Sequence, residues 1–197
     1  MKISAPHDFL KTTTQDAPLE RLLAFFRSQR IGQLVRDKLV LDFGCGTKAW
    51  TAKRMRKIAR LVHGVDASLL FPVQSIGDIN LYQSIDLLPS NNYEIVTALA
   101  VFEHIPPFEL LKILDKLALH SVPEALIFGT VPTPKARPVL ELLSFQLGLI
   151  DPSQIKDHWV YYDDLWLGEI LSLSPWKIAS YKKFQFGLNS QFILVKR

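Results

Sequence analysis

The sequence predicts an α/β domain with a mainly parallel sheet, helices on both faces and an antiparallel last strand. Three observations predict it. Apolar, β-branched runs alternate with helical periodicities from Lys38 to Val131, which implies right-handed crossovers and a parallel sheet. The first of those runs passes straight into two glycines, in VLDFGCGTKAW, residues 40–50. The last two β-like runs lie too close together for a helical crossover and must pair antiparallel.

Taken in order, residues 18–35 read as helical, with Leu19, Leu22, Leu23 and Phe26 on one side and Gly32 as a break. Residues 38–43 form a first strand and 50–60 a helix, in which Ala52, Met55, Ile58 and Ala59 fall at helical spacing. A second strand covers 61–66, with a short helix expected after Ser68. Residues 79–82 are a weak third strand, and EIVTALAV, 94–101, is a strongly buried fourth. Residues 107–120 are a helix with Leu110, Leu111, Leu114 and Leu117 inward, and 125–131 a fifth strand. Helices over 139–147 and near 163–173 then precede two strands, 176–184 and 191–196. No repeat, low-complexity tract or interdomain linker interrupts the chain. It reads as one domain, 1–197, with an N-terminal helical segment, 1–36, and an insertion, 132–174, placed as a lid on the substrate side.

The composition agrees. The 197 residues are 48% hydrophobic and 21% charged, which is globular composition. No apolar run reaches the roughly 20 residues needed to cross a bilayer, and the first residues lack the apolar core of a signal peptide. A cytoplasmic protein is expected. A single cysteine, Cys45, excludes an internal disulfide framework and a multi-cysteine zinc site, and no metal is expected. The net charge of +4 sits largely in KRMRKIAR, 53–60, which reads as a solvated helix face rather than an RNA-binding patch.

In an open parallel sheet, ligands bind beyond the carboxyl ends of the strands. Gly44 and Gly46 let backbone approach a ligand closely, and the following helix points free N–H groups at the same place. Asp66 ends the second strand, twenty positions past Gly46, where a carboxylate can accept ribose hydroxyls. A nucleoside cofactor follows from that pairing. GCGTKA also satisfies a relaxed dinucleotide fingerprint. Against NAD stands Asp42, whose charge would repel a pyrophosphate but suits a ligand carrying an ammonium and a sulfonium.

At this point VLDFGCGT, HGVDAS and YEIVTALAVFEHIP together resemble the class I S-adenosylmethionine-dependent methyltransferases, in the branch whose fourth strand ends in a Glu-His pair, here Glu103 and His104. The resemblance implies a Rossmann-like, seven-stranded sheet. It implies S-adenosylmethionine as cofactor, with Asp42, Gly44 and Gly46 along its methionine part. Asp66, with the adjoining Ala67, would hold the ribose, Leu99 would give backbone contacts, and Asp86 would lie near the adenine. Lys48 stands where the third glycine of that loop is usual.

Methyl transfer from a sulfonium is an in-line displacement, and a base is needed only where the acceptor must lose a proton. DHWVYY, 157–162, offers His158 as that base with Trp159, Tyr161 and Tyr162 as aromatic walls; the alternative is that these aromatics cap the sheet and His158 only hydrogen-bonds. His104 is a second catalytic candidate, with a structural role in the loop after the fourth strand as its alternative. The expected acceptor is a small or medium organic molecule, such as a sugar, a lipid-linked intermediate or a natural product, methylated on oxygen. The competing classes are a nucleic-acid methyltransferase, whose mouth Lys48, Lys135 and Arg137 would make basic, and a non-catalytic binding protein with the same fold.

Overall fold

The structure is a computed structural model, and it describes residues 31–89, 92–141, 160–161 and 163–197. The expected helix over 18–35 falls outside them except for its end, α1 (Ile31–Val35). There follow β1 (Leu39–Phe43), α2 (Trp50–Met55), β2 (Leu61–Val65), β3 (Val73–Ile76), β4 (Ile79–Tyr82), β5 (Tyr93–Leu99), α3 (Pro107–Leu119) and β6 (Ser121–Pro132). The chain ends with α4 (Ala136–Glu141), α5 (Asp164–Ser172), β7 (Trp176–Phe184) and β8 (Asn189–Lys196).

The strands form one eight-stranded sheet in the order β3-β4-β2-β1-β5-β6-β8-β7. β1 pairs in parallel with β2 and β5, β2 with β4, and β5 with β6. β8 runs antiparallel between β6 and β7, as the short gap before it requires. The eighth strand, one more than the seven expected, is β3. A short helix was expected after Ser68, but Pro72 supplies no amide donor, and Gly77, at φ +63°, closes a two-residue turn with Asp78 that folds β3 back onto β4.

Each element's burial follows from its place. All five residues of β1 are buried, because neighbouring strands flank it and both faces are covered. One face packs Leu41, Phe43 and Val96 under Leu110, Leu114 and Leu117 of α3. The other packs Val40, Val62, Ile95 and Phe128 against Ala52 and Met55 of α2. Trp176, fully buried, donates its indole N–H to the Leu114 carbonyl at 2.9 Å and ties β7 to α3. The Asp163 carboxylate caps α5 by accepting from the Trp166 N–H at 2.9 Å.

Chain order runs outward from β1 through β2 to β4 on one side and through β5 to β6 on the other. The order therefore reverses between β1 and β5, and a crevice opens at their carboxyl ends. Among the described residues no helix is long and apolar enough to cross a membrane.

Candidate active site

The crevice is built on the turn after β1. Gly44 and Gly46 take φ of +75° and +66°, which a side chain disfavours. The Gly44 and Cys45 N–H groups both donate to the Val65 carbonyl, at 2.8 and 3.2 Å, so the turn is sewn to the end of β2. A Cβ at Gly44 would lie 2.3 Å from Cγ2 of Val101, so packing and backbone both require glycine there. Ala49, also at positive φ (+48°), leads the chain into α2.

Asp66 holds this turn from the neighbouring strand. Its Oδ2 accepts from the Gly46 N–H at 2.7 Å, and its Oδ1 accepts from the N–H of Ser68 at 2.9 Å and from the Ser68 hydroxyl. Burial raises its pKa, while the bonds from Ser68 and Gly46 pull it down. Ala67 follows it, half-buried.

Asp42 faces the crevice one strand away and is 2% exposed. Its Oδ1 accepts from the Thr97 hydroxyl at 2.6 Å, since the register sets Asp42 opposite Thr97 on β5. Its Oδ2 is buried and, among the described residues, has no partner in hydrogen-bond geometry, although the Ala52 N–H at the start of α2 is near enough to favour the ionised form slightly. Burial pushes this carboxyl up to about 7, with the Thr97 bond opposing and the charge on Asp66 adding to the rise. A buried carboxylate oxygen without a partner costs on the order of 1–3 kcal/mol or more, and a cation placed against it recovers that cost. Burial together with the charges on Asp42 and Asp66 also raises the Cys45 thiol, so it packs as a neutral group.

Thus Asp42, Gly44, Gly46, Asp66 and Ala67 are brought together, and Leu99, half-buried, ends β5 beside them. Asp86 is not. It lies on the 3-10 turn Ile85–Leu87, is exposed, and accepts from the Lys116 ammonium at 2.6 Å. Lys116 is in the last turn of α3, and the chain is there already returning toward the start of β5. That ion pair and the bond from Ser84 hold the Asp86 carboxyl below its ordinary value. Gln83 stands at the end of β4 instead, donating through Nε2 to the Leu69 carbonyl at 2.8 Å and closing the loop after Asp66.

His104 is half-buried on the 3-10 turn Phe102–His104, with its N–H donating to the Val101 carbonyl at 3.0 Å. His158 lies outside the described residues, as do Trp159 and Tyr162. Lys48, Lys135 and Arg137 are all exposed. Among the described residues no group of three His, Cys, Asp or Glu could hold a metal ion. Sequence reasoning missed Thr97 and Ser68. The signal for Thr97 was present, as the one polar residue in the apolar run from Ile95 to Val101.

A nucleoside bearing a positive charge fits these residues. The orphaned Asp42 oxygen suits an ammonium, the glycine turn leaves backbone room, and Asp66 retains lone pairs for hydroxyl donors.

A family model described as methyltransferase domain matches residues 14–178. Several solved structures share the fold. The 1,6-didemethyltoxoflavin N1-methyltransferase of Burkholderia thailandensis, solved with 1,6-didemethyltoxoflavin and S-adenosylhomocysteine, is 12% identical with a TM-score of 0.62, over 95% of this chain and 93% of that one. The magnesium protoporphyrin IX methyltransferase of Synechocystis PCC 6803, solved with S-adenosylhomocysteine, is 17% identical with a TM-score of 0.53, over 91% and 82%. A candidate O-methyltransferase of Nostoc punctiforme PCC 73102 is 12% identical with a TM-score of 0.63; the match takes in 91% of this chain but 59% of that longer one. A search of curated proteins found no match. The family match runs over most of the sequence and the sheet is the one its motifs resemble: the chain belongs to the methyltransferase domain family.

Proposed function

We propose that this chain is a class I methyltransferase that takes its methyl group from S-adenosylmethionine and passes it to oxygen on a small or medium organic acceptor. The buried, unpartnered Oδ2 of Asp42, beside a glycine turn clamped by Asp66, carries the reading.

When bound, the cofactor supplies an electrophilic methyl group on a sulfonium and retains the carbon–sulfur electron pair as the bond breaks. The chain's part is to bind, orient and exclude water. Asp42 would hold the ammonium end and Asp66 the ribose hydroxyls, so the cofactor would be fixed on both sides of its sulfonium. Thr97 keeps the Asp42 carboxylate aimed by occupying its other oxygen. Leu99 closes the crevice on the side toward β6. The segment 132–174 covers the acceptor, and His158 takes the hydroxyl proton, a task for which histidine is suited near neutral pH. His104 positions the loop that follows β5.

Calorimetry with S-adenosylhomocysteine and with NAD tests the cofactor, and transfer of labelled methyl into a metabolite pool tests the acceptor. The reading expects saturable binding of S-adenosylhomocysteine, none of NAD, and label in a neutral small molecule. NAD binding without S-adenosylhomocysteine binding overturns it.

A further inference from the structure

We infer that Thr130 is a specificity-determining residue for the acceptor, and that its hydroxyl receives a neutral hydroxyl-bearing group rather than an ion. The inference deepens the methyl-transfer reading and rests on it.

Thr130 lies near the carboxyl end of β6 and is 1% exposed, and among the described residues its Oγ1 has no hydrogen-bond partner. Thr133, three residues on, shows what a structural threonine does here: its hydroxyl donates to the Gly187 carbonyl at 2.7 Å and ties β6 to the β7–β8 turn. Thr130 uses only its backbone in that way. Its carbonyl accepts from the N–H of Ala100 at 2.9 Å, where Ala100, at φ +55°, swings the chain away from the end of β5.

The pairing registers put the hydroxyl on the crevice side. Asp42 stands opposite Thr97, Leu99 opposite Thr130, and Thr130 opposite Gln191. Alternation along each strand sets these side chains on one face, the face of Val40, Ile95 and Phe128. Asp42 and Thr130 are therefore two orphaned polar groups on one face. They are two strands and two residues apart, roughly 12 Å between Cα atoms. A cofactor held at Asp42 and Asp66 leaves Thr130 on the acceptor's side of Leu99. Leu99 and Gln191 are both half-buried, so the approach to Thr130 is only partly closed.

Charge on these strands favours one kind of acceptor group. Among the described strand residues on this face at the carboxyl ends of β1, β5 and β6 and on the facing part of β8, Asp42 carries the one formal charge, and it is negative; Glu124 lies at the far, bulged start of β6. A carboxylate or phosphate would meet no cation on those strands, the exposed Lys135 and Arg137 lying beyond the end of β6, and an ammonium would be drawn to Asp42. A hydroxyl both donates and accepts, which is what Thr130 can answer.

The test uses protein loaded with S-adenosylhomocysteine and four probes, phenol and benzyl alcohol against benzoate and benzylammonium, with affinities from chemical-shift titration. The neutral probes should bind more tightly than either ion. Thr130→Val should weaken them about five- to tenfold, and Thr130→Ser should restore them. Because valine removes an unpartnered buried hydroxyl at nearly equal shape, the thermal midpoint and the S-adenosylhomocysteine affinity should not fall. Neutral-probe affinity that is unchanged in Thr130→Val, absent in the wild type, or no better than that of the ions overturns the proposal. A lowered midpoint with unchanged probe affinity assigns the hydroxyl to the fold and overturns it too. Wild-type protein that does not take up S-adenosylhomocysteine at all overturns the methyl-donor reading itself, a result seen before any probe is added.

Discussion

Replacing Asp42 by asparagine sets stability against binding at one atom. In the folded chain burial lifts this carboxyl from its ordinary 3.8 to about 7. Between those two values the folded chain binds a proton that the unfolded chain does not. The stability carried by the protonated acid is thus full below about pH 4 and is lost as pH rises through about 7. Roughly three pH units at about 1.4 kcal/mol each put that loss on the order of 4 kcal/mol. Asparagine keeps the shape and never ionises. Asp42→Asn should therefore match the wild type near pH 4.5 and exceed it by a few kcal/mol at pH 8 in urea unfolding. Binding should move the other way. An ammonium against the Asp42 Oδ2 favours the ionised acid, so wild-type affinity for S-adenosylhomocysteine should climb as pH rises through 7, with proton release at pH 6. A lost charge-assisted hydrogen bond is worth roughly 1.5–3 kcal/mol, so the variant should bind about ten- to a hundredfold more weakly at pH 8. Calorimetry in buffers of different ionisation enthalpy reads both affinity and protons. A variant that is less stable at pH 8 and binds like the wild type would refute the reasoning.

Asp66→Ala removes the acceptor for both the Gly46 N–H and the ribose, and S-adenosylhomocysteine affinity should fall about ten- to a hundredfold by calorimetry. Gly44→Ala should lose more than tenfold in the same assay, because its Cβ meets Val101 at 2.3 Å; adding Val101→Ala should recover part of that loss, leaving the cost of positive φ. His158→Ala should lower turnover roughly 10²- to 10⁴-fold with cofactor affinity nearly intact, and His158→Asn retaining full activity would show that the residue positions the acceptor without acting as a base.

Much of the site was legible because its parts are contiguous or sit at strand ends. Asp42, Gly44 and Gly46 lie within five residues, and Asp66 is fixed by the length of one helix and one strand. What required the structure was register. Thr97 meets Asp42 only because β5 pairs with β1 in that alignment, and Thr130 stands on the same face only through β5 and β6. The family resemblance implied Asp86 near the adenine, whereas the 3-10 turn Ile85–Leu87 sets it against Lys116, a placement that no local pattern in SIDLLP announces. β3 was missed because FPVQSIGD has neither helical spacing nor a long β-like run; its turn, not its composition, makes it a strand.

The placing of β8 between β6 and β7 governs the order in which the chain can assemble. Among the described strands β7 pairs only with β8, and β8 reaches β6 across a long separation, with Leu126 opposite Val195. The turn joining β7 to β8 is short, so those two strands can zip together in microseconds while the longer closure onto β6 lags. They then arrive as a finished hairpin. Until they do, β6 is an open edge whose exposed amides and carbonyls invite pairing with another chain, and Thr130 has no neighbour at Gln191. Burial of the Thr130 end of β6 therefore requires the whole hairpin to have docked, so a lesion in the β7–β8 turn would be felt there, far along the chain.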